Sequence, residues 1–167
     1  NYLRCNRCNN FCSFIMSLKT QDLFDVSNKV VVVTGGSRGI GEMITSGFLA
    51  NKSKVYITAR KEEALVKKAE ELSQKYDCEC IPVSGDISNT EGIDALVKFL
   101  NDAEPGGIDY LINNAGAAWG ANYDDFPESG WDKVIDLNLK TPFFLTQKLT
   151  PLLEKKGTSE DPSRVVN

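Results

Sequence analysis

The stretch Lys29-Val30-Val31-Val32-Val33-Thr34-Gly35-Gly36-Ser37-Arg38-Gly39-Ile40-Gly41 decides the fold. Its consecutive valines show no polar alternation, so both faces of the segment must be covered, as in a parallel strand near the middle of a sheet. The run stops at Gly35 and Gly36, and an apolar stripe of helical spacing follows: Ile40, Met43, Ile44, Phe48 and Leu49, reaching to about Asn51. A buried strand, a glycine-rich turn and a helix thus succeed one another directly. Glycines in that setting permit tight backbone conformations and close approach of a ligand. The N-terminus of the next helix adds unpaired N–H groups and a partial positive charge, which together suit a pyrophosphate. The spacing is not Gly-x-Gly-x-x-Gly, and it is not a Walker loop, because Glu42 follows Gly41 where Lys and Ser/Thr would be needed. A nucleotide triphosphatase is disfavoured.

The same alternation continues downstream. Lys54 to Ala59 reads as a strand, Lys61 to about Lys75 as a helix with Leu65, Val66, Ala69 and Leu72 on one face, and Glu79 to Ser84 as a third strand. Thr90 to about Asn101 places Ile93, Leu96, Val97 and Leu100 at helical spacing, and Ile108 to Asn113 reads as a fourth strand. A long helical tract covers Glu128 to Lys155, and Arg164 opens a fifth strand, expected to be buried. Strands and helices alternating in this way predict an α/β fold: a doubly wound parallel sheet of Rossmann type with helices on both faces. The chain stops as its fifth strand begins, so the sheet is expected to be truncated there and the chain to be part of a longer protein.

Composition narrows the function. With 167 residues, 41% hydrophobic and 25% charged, the chain fits one globular domain. Nineteen Lys and Arg against 23 Asp and Glu leave a net charge of −4, which argues against nucleic acid as a partner. No apolar run approaches the roughly 20 residues of a membrane helix, so no membrane span is expected. The absence of histidine removes Ser-His-Asp and Cys-His hydrolases and His-ligated zinc. Residues 1–26 read as a leader or disordered tail with Met16 a possible natural start, and residues 27–167 as the dinucleotide-binding domain. Cys5, Cys8 and Cys12 lie in that leader without a fourth ligand, so no metal site is expected. A cytoplasmic location is expected, with a mitochondrial presequence the alternative. Cys78 and Cys80 are expected to pack on one sheet face, and the pairs Glu62-Glu63, Glu70-Glu71 and Asp124-Asp125 to be solvated.

The pattern Thr34-Gly35-x-x-x-Gly39-x-Gly41, followed in order by Asp86-Ile87, Asn113-Asn114-Ala115-Gly116 and Asn138, resembles the short-chain dehydrogenase/reductase family over about residues 27 to 167. The resemblance implies a cofactor site of Gly35, Gly36, Ser37, Arg38, Gly39, Ile40, Gly41, Asp86, Ile87, Asn114, Ala115 and Gly116. Asp86 and Ile87 would flank the adenine ring and Asn114 would lie against the nicotinamide-side ribose. Asn113 would either share in the site or simply stitch strands together. Asn138 corresponds to the first member of an Asn-Ser-Tyr-Lys tetrad and is the one catalytic candidate within these residues. The family's serine and Tyr-x-x-x-Lys are expected beyond Asn167, so this chain alone is expected not to turn over substrate.

Charge bears on the cofactor. An NAD site carries Asp or Glu at the end of the second strand, about 20 residues past the glycines. Here that position reads Thr58-Ala59-Arg60, and Arg38 supplies a second cation, which together predict NADP(H) through contacts to a 2′-phosphate. A competing reading pairs Arg60 with Glu62 or Glu63. Pro142 has no N–H to give the carbonyl of Asn138, which would leave that carbonyl free for the water that the family places in its proton relay. Alternatively Pro142 simply starts a second helix. The resemblance implies hydride transfer between nicotinamide and a carbonyl or secondary alcohol carbon. Residues Gly130 to Leu153 and the Trp119-Gly120 loop most resemble the β-ketoacyl reductase-like subgroup, including relatives linked to rhamnolipid synthesis. Expected partners are a small carbonyl or alcohol substrate or an acyl thioester, with homo-oligomers in the full-length protein. Trp119 and Tyr123 either line a substrate pocket or anchor a loop. A non-catalytic NADP(H)-binding module, or a truncated partner of a full-length reductase, is the competing class.

Overall fold

Why four valines in a row are stable is answered by the sheet they enter. In the computed structural model, which describes residues 23–167, all five strands are parallel and run in the order β3-β2-β1-β4-β5. In chain order the elements are β1 (Val30–Thr34), α1 (Gly39–Ala50), β2 (Lys54–Ala59), α2 (Glu62–Tyr76), β3 (Cys80–Ser84), α3 (Thr90–Ala103) and β4 (Tyr110–Ile112). A 3₁₀ turn (Tyr123–Asp125), α4 (Glu128–Ile135), a π-turn (Asp136–Lys140), α5 (Thr141–Lys156) and β5 (Arg164–Val166) complete it. The expected doubly wound, Rossmann-type sheet is present. The expected leader, with Met16 and the cysteines Cys5, Cys8 and Cys12, lies almost wholly outside the described residues.

β1 sits between β2 and β4, and alternate valines serve different layers. Val30 and Val32 join a cluster with Ile93, Leu96 and Leu100 of α3 and Leu145, Leu149 and Leu152 of α5. Val31 and Val33 face Leu49 of α1 and Leu65, Ala69 and Leu72 of α2. Burial of each such side chain is worth about 1.5–3 kcal/mol, so the strand with two covered faces is the natural seed of both cores. Cys80 is buried in the second cluster with Cys78 packed beside it, as expected, and burial pushes the Cys80 thiol up to about 12, which leaves it unreactive. The acidic pairs Glu62-Glu63, Glu70-Glu71 and Asp124-Asp125 are exposed.

Three expectations are corrected. β4 is shorter than Ile108 to Asn113, because Ile108 gives its N–H to Leu152 of α5 and the chain turns after Ile112, with the Asn114 N–H returning to the Ile112 carbonyl. β5, expected to be buried, is paired with β4 alone within this chain, and Val165 and Val166 are exposed in it. The helical tract is continuous from Glu128 to Lys156, but its hydrogen-bond register slips over Asp136–Lys140, where the Thr141 N–H reaches back five residues to the Asp136 carbonyl.

A charged clamp closes the N-terminal edge of the sheet. The Asp109 carboxylate accepts the Val30 N–H at 2.9 Å and the Lys29 ammonium at 3.2 Å, and Lys29 also binds Asp161 in the loop before β5. The Asp109 carbonyl accepts the Arg164 N–H, which starts β5. The ammonium of Lys29 holds the Asp161 carboxyl below its ordinary value, and Asp161 in turn raises Lys29. A lowered carboxylate stabilises the fold above its ordinary value and a raised lysine below its own. The clamp therefore acts fully between those two values, and is lost as pH falls through the depressed Asp161 value or rises through the raised Lys29 value. Lys29→Met should cost about 1–2 kcal/mol at neutral pH in urea unfolding, and the gap from wild type should shrink as acid protonates Asp161.

Candidate nucleotide-binding site

Strand order reverses between β1 and β4, and ligands of open parallel sheets bind at such a point, beyond the C-terminal ends of the strands. An open cleft of about 920 Å³ lies there, walled by the turn after β1, the ends of β2 and β3, the loop after β4 and the start of the π-turn.

The floor is built by glycine and threonine. Gly35 takes φ +68°, and a Cβ added at Gly41 would stand 2.2 Å from the Gly35 carbonyl oxygen and 2.5 Å from Asn114 Nδ2. Only a residue without a side chain lets the first turn of α1 press against both the β1 turn and the β4 loop. The Thr34 hydroxyl, in a side chain almost wholly buried, accepts the N–H groups of Asn114 (3.0 Å) and Ala115 (2.9 Å) and donates to the Ile112 carbonyl (3.3 Å). The Asn114 amide returns the contact, donating to the Thr34 carbonyl at 2.9 Å and lying 3.3 Å from that of Gly35. The two loops thus move as one piece. α1 begins at Arg38 with no side-chain cap, so no side chain competes for its leading N–H groups.

The expected cofactor residues Gly35, Ser37, Arg38, Ile40, Gly41, Arg60, Asp86, Ile87, Asn114, Ala115 and Gly116 all line this one cleft. Gly36 and Gly39 do not: Gly36 is buried against Ile57, where a Cβ would come within 2.5 Å of Cγ2, and Gly39 supplies a left-handed turn at φ +56°. The lining includes the cations Arg38, Arg60, Lys61, Lys68 and Lys133. Lys68 is held by Glu42 at 3.1 Å and Glu71 at 2.8 Å. Among the described residues Arg60 forms no ion pair with Glu62 or Glu63, and its charge acts on Asp86. Burial opposes ionisation of Asp86, but the Ser88 hydroxyl and N–H and the charge of Arg60 outweigh it and hold the carboxyl below its ordinary value. Asp86 therefore stays an acceptor at neutral pH.

Asn138 lies in the π-turn beside this cleft. Its Oδ1 accepts the Ala117 N–H at 2.7 Å and its Nδ2 donates to the Ala117 carbonyl at 2.9 Å, so the side-chain amide is held to the β4 loop by a pair of bonds. Asn113 behaves as a stitch: its N–H goes to Val166 of β5 and its Nδ2 to Asn167 and Thr146. Trp119 does not line this cleft. Its ring lies on Gly130, with the Lys133 ammonium 5.1 Å from its centroid, while Tyr123 is 95% exposed. Sequence reasoning passed over Lys61, Lys68, Thr58 and Gly85, which also line the cleft. The last two stand at the C-terminal ends of β2 and β3, and the two lysines lie seven residues apart, about two helical turns, so their positions were readable once the sheet was drawn.

This geometry has known counterparts. The chain matches the short chain dehydrogenase family over residues 29–167. It belongs to that family. It is 42% identical over 144 residues to the rhamnolipids biosynthesis 3-oxoacyl-[acyl-carrier-protein] reductase of Pseudomonas aeruginosa, covering 86% of this chain and 55% of that one. The Pseudomonas aeruginosa RhlG/NADP active-site complex superposes with a TM-score of 0.80 at 40% identity, over 85% of this chain and 54% of that one. L-sorbose reductase of Gluconobacter frateurii, complexed with NADPH and L-sorbose, gives 0.75 at 30% identity, over 78% and 49%. The chain spans about half the length of the relatives it matches. Among the described residues no group of His, Cys, Asp and Glu is arranged to hold a metal, and no helix is long and apolar enough to cross a membrane.

Thr34→Val keeps the shape but removes the acceptor of the Ala115 N–H and one of the two acceptors shared by the Asn114 N–H, the other being the Ile112 carbonyl. It should cost about 2–4 kcal/mol in chemical denaturation, with Thr34→Ser recovering most of it.

Proposed function

We propose that this chain is the nucleotide-binding part of an NADP(H)-dependent oxidoreductase that moves a hydride between the nicotinamide and a carbonyl or secondary alcohol carbon. The observation that carries the reading is the charge of the lining, where Arg38 and Arg60 line one cleft and no acid stands at the end of β2. Two guanidiniums around one point suit a 2′-phosphate, whereas a carboxylate there would repel it.

The cleft fits the dinucleotide in shape as well as charge. Gly35 and Gly41 line the cleft and let the first turn of α1 sit tightly beside the β1 turn, so that the uncapped start of α1 can offer its N–H donors to a pyrophosphate there. Asp86 and Ile87 would flank the adenine, and Asn114, Ala115 and Gly116 the ribose nearer the nicotinamide. When bound, the cofactor supplies the hydride chemistry. The chain's own contribution there is Asn138, whose side chain is occupied by Ala117 and whose carbonyl Pro142 cannot reach with a hydrogen bond. That carbonyl is the acceptor we assign to the proton relay. The match to a 3-oxoacyl reductase makes a 3-oxoacyl thioester the first substrate to try, with ketoses the second, given the sorbose reductase likeness.

Arg60→Asp in the full-length protein should lower the NADPH-to-NADH affinity ratio at least about tenfold in fluorescence titrations, the weight of one charge-assisted contact. An unchanged ratio would overturn the NADP assignment. NADPH binding without oxidation by any 3-oxoacyl thioester or ketose would instead favour a nucleotide-binding module without catalysis.

A further inference from the structure

We infer that Thr141 is a positioning residue that ties the adenine wall of the cleft to the π-turn carrying Asn138. The inference rests on the nucleotide-binding reading above. Thr141 is 3% exposed, and its hydroxyl oxygen lies 2.6 Å from the Ile87 carbonyl and 2.8 Å from the Asp136 carbonyl. A hydroxyl has one proton to donate. The Asp136 carbonyl already receives the Thr141 N–H, the bond that closes the π-turn. The hydroxyl proton therefore goes to Ile87, the only one of the two without that backbone donor.

The placement gives this bond its consequence. Ile87 follows β3 and Ala117 follows β4, and two other strands, β2 and β1, stand between β3 and β4 in the sheet. The π-turn spans that separation. It grips the β4 loop through the Asn138 side chain on Ala117, and the β3 loop through Thr141 on Ile87. Asn138 and Thr141 are three residues apart in one helical segment, so a shift of either anchor displaces the other. The extra residue of the π-turn is what frees the segment from regular register, and the Thr141 hydroxyl adds a directional bond to the Ile87 wall beside the less directional apolar packing of Leu137 in the cluster that holds Ile87. Thr141 thus couples how the adenosine half is held to where the relay carbonyl stands.

The test is steady-state kinetics of the full-length protein with NADPH and a carbonyl substrate. Thr141→Val, which keeps the shape and removes the donor, should raise the KM for NADPH about five- to tenfold, the weight of one neutral hydrogen bond, and lower kcat while the KM for the carbonyl substrate stays put. Thr141→Ser should restore both values, which a purely steric role would not require. Should the Val protein fail to fold, Thr141→Cys, a weak donor of similar size, takes its place and should show the same losses. Wild-type activity with unaltered kcat and KM in the Val or Cys protein overturns this proposal alone, as does a Ser protein as impaired as Val. A wild-type protein that neither binds nor oxidises NADPH overturns the functional reading and this proposal with it.

Discussion

Everything at the site hangs on the burial of β1 and on what its last residue does with a hydroxyl. A strand covered on both faces cannot shift along its axis without exposing valines to water, so its C-terminal end is the best-fixed point of the sheet. Thr34 stands at that point. Its hydroxyl carries the rigidity of the strand into the loop after β4, while Asn114 carries it back to Gly35. The glycine turn is therefore not a floppy segment made permissive by missing side chains. Its glycines are required because the fixed partners leave no room for a Cβ at Gly41.

Much of this was legible in the sequence, because the period of the apolar residues follows directly from geometry. β2 coincides with the stretch Lys54 to Ala59, and α1 and α2 lie within a residue or two of their expected bounds. The cleft residues were legible through pattern: Asp86, Ile87 and the Asn114 loop are far from Gly35 in the chain, and only the parallel order of the strands brings them together. What escaped notice has physical reasons. The slipped register at Asp136–Lys140 leaves the apolar stripe of the tract intact, so periodicity does not report it. Only Pro142 hinted at a disturbance, and it pointed to a missing bond rather than to a five-residue turn.

The charge of the protein and the charge of its site run in opposite directions. A net charge of −4 would repel an anionic dinucleotide at long range, yet salt screens such fields within about 8–10 Å. Under the proposed function, what a bound phosphate would meet is the local charge of Arg38, Arg60 and Lys61 in the cleft lining, together with the start of α1. Lys68 contributes less than its position suggests, because Glu42 and Glu71 already neutralise it. Glu42 is itself in the first turn of α1, where a carboxylate competes with any bound anion for the helix dipole. Its engagement by Lys68 offsets that competition. The pair thus offsets the one acid in the first turn of α1, and Arg38 and Arg60, which make no ion pair among the described residues, are the groups through which the proposed 2′-phosphate contact would discriminate between cofactors.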